Sequence, residues 1–189
     1  MKKTFLGILM LTMLFFTVGC GNKTNEAAIF DGNSDDIIEK FKKFAEKSNF
    51  KLSEPKITTS GDTKNCTLNF GDSSDNVINL KLNDDDSVAS VEIIANNDAK
   101  SIAEAGVLLS ATFIGIGIDH NAMEKFLGDY QVIFKKAINN FMKDGLNNPE
   151  NSASPTMNDD IKIQSADKNL NVHTQMDEKK IQFLISLEK

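Results

Sequence analysis

The sequence predicts an α+β fold in which antiparallel meander strands carry about three helices on one face, joined in one sheet or standing as two helix-plus-meander halves. Three observations predict it. Apolar residues recur at helical spacing between Asp35 and Ser48 and again after Asn121; apolar and polar residues alternate in two blocks, 56–95 and 161–187; and the separators inside the first block are three- to five-residue turns, too short for anything but antiparallel neighbours. With 40% hydrophobic and 25% charged residues, the 189-residue chain has the composition of a globular protein, and residues 34–189 are expected to form one α+β domain.

The elements follow in order. Ile37, Ile38, Phe41, Phe44 and Ala45, with lysines and glutamates between them, predict an amphipathic helix capped by Asn33 or Ser34. Strands are expected near 56–60, 64–70, 76–82 and 87–95, separated by Ser60-Gly61-Asp62, Gly71-Asp72-Ser73 and Asn83-Asp84-Asp85. From Ala99 to Ile118 the chain is almost continuously apolar, which predicts a central buried helix. On it Ala99, Ala103, Gly106 and Ser110 form a small-residue stripe expected to admit a close neighbour, and Ile102, Leu109, Phe113 and Ile116 form a bulkier one. A membrane-inserting hairpin or a second membrane span is the alternative for this segment. Asn121 and Glu124 have capping-box spacing and should start a long helix ending near Lys143, closed by Gly145. A surface loop, 146–158, and strands near 161–165, 169–175 and 180–187 complete the chain. The two meanders share a faint echo at offsets of 104 to 106 residues, linking Lys56-Ile57 to Lys162-Ile163, Lys64-Asn65 to Lys168-Asn169 and the Leu80/Leu82 pair to Ile185/Leu187, the trace a duplicated unit would leave.

The amino terminus is of another kind. Lys2 and Lys3 precede a 14-residue uncharged apolar run, Phe5 to Val18, in the range of a signal-peptide core and short of the roughly 20 residues that span a bilayer. The run ends in Thr17-Val18-Gly19-Cys20, which resembles the lipobox of bacterial lipoproteins, with Thr17 where that family usually has Leu. The resemblance implies removal of residues 1–19, a diacylglyceryl thioether on Cys20, a lipidated tether over 20–33 in which Ile29 and Phe30 mark the start of packing, and a place on the extracytoplasmic side of a cell membrane. Two acyl chains anchor stably where one does so only marginally.

Composition narrows the partners. Without residues 1–19 the chain has 19 Lys, no Arg and 27 acidic residues, a formal charge of −8 that makes nucleic acid an unfavourable partner. With Cys20 lipidated, Cys66 is alone, so no internal disulfide is expected; its alternation with Leu68 and Phe70 turns the thiol to the apolar face of a strand, where it is inert. Activation as a nucleophile would need His120 or His173 at hydrogen-bond reach. Two histidines and one cysteine in distant segments lack zinc-site spacing. The acidic clusters Asp35-Asp36, Asp84-Asp85-Asp86 and Asp159-Asp160 read as a helix start, a hairpin turn and a strand start, and the one near match to a calcium loop, from Asp31, has Asp36 where Gly belongs and Lys42 where Glu belongs. Phosphate-binding glycine loops and hydrolase elbows are absent from the sequence, as is Trp.

No catalytic, cofactor or metal residues are therefore assigned, and Cys20 is the single assigned site, for lipid. The expected function is non-enzymatic binding of an envelope protein or peptide through the exposed face or edge of the sheet. One alternative is a carrier of a small apolar ligand, which requires a pocket beside Gly106 and Ser110; another is a structural envelope component. The helix-plus-meander outline is similar to lipoproteins of cystatin-like shape, a likeness of architecture that implies no activity.

Overall fold

The computed structural model describes residues 26–147, 155–165 and 168–188. Cys20 and the signal segment lie outside the described residues. Three helices and seven strands occur in the order α1 (Ser34–Lys47), β1 (Lys56–Ser60), β2 (Thr63–Asn69), β3 (Val77–Leu82), β4 (Val88–Asn96), α2 (Ala99–Ile116), α3 (His120–Asn147), β5 (Met157–Gln164), β6 (Asn169–Met176) and β7 (Lys180–Leu187). All seven strands form one antiparallel sheet of order β1-β2-β3-β4-β7-β6-β5. The two meanders thus meet where β4 pairs with β7, from Ser90 opposite Ser186 to Asn96 opposite Lys180.

Each helix starts where a short polar side chain takes the backbone donors that the first turn leaves unpaired. Asn33 accepts from the N–H groups of Asp35 and Asp36 at 3.0 and 3.2 Å, and the Asp36 carboxylate accepts from the Asn33 N–H at 3.2 Å, so α1 has a complete capping box. Asp98 does the same for α2, accepting from Lys100 and Ser101. At α3 the expected cap was Asn121, but the acceptor is Asp119, whose side chain takes the Ala122 N–H at 2.9 Å. The helix begins at His120 and continues through Gly145 to Asn147, beyond the end expected near Lys143. A glycine inside a helix costs only about 1 kcal/mol relative to alanine, too little to stop a helix of this length.

The sheet buries one face. Cys66, Leu68, Ile78, Leu80, Val91, Ile93, Leu170, Val172, Ile181 and Ile185 all point into a core completed by Ile37 and Phe41 of α1, Leu108 and Phe113 of α2 and Phe126 of α3. Packing begins at Ile29 and Phe30, inside the 20–33 segment read as a tether: both are buried, and the Ile29 N–H donates to the Val88 carbonyl at 2.8 Å. α2 is the one helix among the described residues long and apolar enough to cross a membrane, and half of it is buried against the rest of the fold, packed on α1 and β4.

The close approach on α2 is not at the small-residue stripe. It is at Gly115, where an added Cβ would stand 2.7 Å from Ile37 Cδ1 and 2.8 Å from Phe30 Cε1, whereas one at Gly106 would meet nothing within 4 Å. The internal echo also fails to map the sheet onto itself. Its offsets match β3 with β7, yet both strands run antiparallel to β4 and therefore parallel to each other, while a two-fold axis normal to the sheet would relate β4 to β7 and β3 to β6.

Candidate functional site

Gly106 faces open space beside a hollow between α2 and α3. Ile102, Gly106, Leu109, Ser110 and Phe113 from α2, Met123, Phe126, Leu127 and Tyr130 from α3, and Phe183 from β7 line a partly open cavity of about 160 Å³. Its walls are stacked rings and aliphatic side chains. Phe113 meets Phe126 edge to face at 4.9 Å between centroids, and Phe126, Tyr130 and Phe134 stack in succession along α3 at 6.2 Å each. The Ser110 hydroxyl donates to the Gly106 carbonyl at 2.9 Å, and burial pushes the Tyr130 phenol above its usual pKa. The pocket that the carrier alternative requires beside Gly106 and Ser110 is present, and at Gly106 the stripe expected to admit a close neighbour leaves space instead. Leu127 on its rim is 51% exposed.

The second feature is the edge of the sheet at β1. All five residues, Lys56 to Ser60, are exposed, and Ile57, which lies opposite the fully buried Cys66 on the core side of the sheet, is 58% exposed because no helix covers it. The opposite edge differs: β5 is packed against α3.

The third is the uncovered sheet face, where amides and hydroxyls cross strands in register. Thr67 donates to Asn79 Oδ1 at 3.0 Å, Asn79 donates to Glu92 Oε2 at 2.6 Å, and Gln182 donates to Glu92 Oε1 at 2.6 Å, a run across β2, β3, β4 and β7 that satisfies both carboxylate oxygens without a cation. Sequence patterning marks these positions as outward but cannot show that they touch, because the β4–β7 pairing brings together residues 90 apart.

The remaining sequence candidates stay apart. Cys66 is fully buried, and burial, then the nearby Asp35 charge, raises its pKa. His120 pairs with Glu124 at 3.2 Å on the exposed start of α3, and His173 Nδ1 lies 3.1 Å from Asp160 on the uncovered face, on different strands from the thiol. Hydrogen bonds from Asn171 and then His173 lower the Asp160 pKa. Among the described residues no three His, Cys, Asp or Glu side chains converge on a point that a metal ion could occupy. Asp35 and Asp36 sit in the first turn of α1; Asp85 accepts from the Ser87 hydroxyl and N–H within the β3–β4 turn, which holds its pKa down; Asp86 pairs with Lys64.

No family model matches the chain, and no curated protein and no solved structure matches it either. Among the described residues, fold and geometry together define an α+β domain with an apolar cavity between helices and a bare sheet edge at β1.

Proposed function

We propose that the chain is a bacterial lipoprotein, held on the extracytoplasmic side of the cell membrane by lipid on Cys20, and that it is a non-enzymatic module that binds an envelope protein or peptide along β1. The exposure of β1 on both faces carries this reading. An added strand needs only main-chain donors and acceptors for affinity, and alternate side chains such as Ile57 supply specificity. Orientation supports it as well. Six residues separate Cys20 from Glu26, a reach of at most roughly 20 Å, and Glu26 is fastened to the β3–β4 end of the sheet by Lys81 and Asn83. That end then lies toward the bilayer, and β1, parallel to β3, runs toward it with its outer edge open from the side.

Photocrosslinking in cells from a reactive residue placed at Ile57 tests the proposal, with Cys20→Ala as the control. A discrete envelope protein captured from position 57, and lost when Cys20 is replaced, is the expected result. If no adduct forms from position 57 while the protein is present at its normal level, strand addition at β1 is rejected. A second reading, carriage of a small apolar ligand, is favoured by the cavity beside Gly106 and Ser110.

A further inference from the structure

We propose that the cavity between α2 and α3 is a binding site for a single ring-sized, uncharged apolar group, with Gly106 as the wall that keeps it open. This rests on the carrier reading and adds to it the size and chemistry of the ligand.

Size comes from the volume. A cavity of about 160 Å³ is too small for a drug-sized molecule or an extended acyl chain, whose pockets start near 300 Å³. In volume it is close to the roughly 150 Å³ apolar cavities that take benzene, though it opens to solvent beside Leu127. Chemistry comes from the walls. Apart from main-chain groups, only Ser110 and Tyr130 bring polar atoms to the lining, and the Ser110 proton is already given to the Gly106 carbonyl. A charged ligand would lose its hydration and meet no countercharge. The larger hollows contrast with it: the one of about 560 Å³ at the start of α3 is lined by Asp119, Lys125 and Lys162, a surface that water fills.

Gly106 supplies an independent observation. It stands inside an 18-residue helix with φ outside the left-handed region, where alanine is the better helix former, and a Cβ there would touch nothing within 4 Å. Neither backbone strain nor a close neighbour requires the glycine. What a side chain at 106 would do is enter the cavity.

Benzene is the direct probe, titrated into the chain beginning at residue 20 with Cys20→Ser. That chain keeps the whole core, which extends from Ile29 to Ile185. Saturable shifts in the methyl resonances of Ile102, Leu109 and Met123 are expected. Gly106→Leu should retain the dispersed spectrum of the folded chain and lose the benzene response at least tenfold; Ser110→Leu, on the same rim, serves if the first variant does not fold. The absence of a saturable response up to the solubility limit of benzene, or a response undiminished in a folded filled variant, overturns the proposal. A fluorescent long-chain fatty acid, titrated in parallel, separates the two readings. If it binds while benzene does not, the carrier reading stands and the ring-sized site falls; if neither binds, both fall.

Discussion

At the scale of single residues, the informative side chain is Glu104. It is 7% exposed on the inner side of α2, with Lys100 at 4.0 Å, and its Oε2 lies so close over Gly71 that an added Cβ there would come within 2.1 Å of it. Burial, opposed by Lys100 and reinforced by Asp72 and Asp98, raises its pKa above the ordinary 4.5. The folded state therefore holds this proton more tightly than the unfolded chain does. Its contribution to stability is complete below pH 4.5 and is lost as pH rises through the higher folded value. Glu104→Gln should accordingly melt at a higher temperature than the parent at pH 7, with the gap closing on acidification to pH 4; a lower melting temperature at pH 7 would mean that the Lys100 contact outweighs burial. The sequence showed Glu104 interrupting an apolar run, and nothing local told whether it would face water or Gly71. Cys66 was more legible, since alternation alone put the thiol on the buried face. Asp119 and Asn121 show the limit: both are good caps, and the choice between them depends on where Ile118 packs.

At the scale of elements, the two helical glycines of α2 have opposite roles, which gives a paired prediction. Gly106→Ala fills empty space in a helix and should stabilise the fold by up to about 1 kcal/mol. Gly115→Leu drives a side chain into Ile37 and Phe30, both buried, and should destabilise it by about 1–3 kcal/mol. Urea denaturation of the two variants beside the parent checks both signs. A spacing argument finds the stripe of Ala99, Ala103, Gly106 and Ser110 but cannot tell a contact from a gap, because both are made by small side chains. Strand positions were readable to within about four residues, since burial on one face forces period-two alternation. The least accurate boundaries were the end of α3, where a lone glycine was given too much weight, and the start of β5, where Asn158, Asp159 and Asp160 mask the alternation that begins at Met157.

At the scale of the whole molecule, the α+β class and antiparallel meanders followed from short turns, whereas the union of the meanders at β4 and β7 left no local mark. Turn lengths specify neighbours within each block and nothing about which edge meets which. That junction also sets a timetable. A chain made from its amino terminus produces β4 about 90 residues before its partner β7, the last of the described strands, so the middle of this sheet is the last part that can close. Until then β4 shows a long apolar edge of the sort that seeds aggregation. Folding belongs to the completed chain, and a stop codon just before Lys180, though it removes only the final ten residues, should yield an insoluble product rather than a slightly shortened domain.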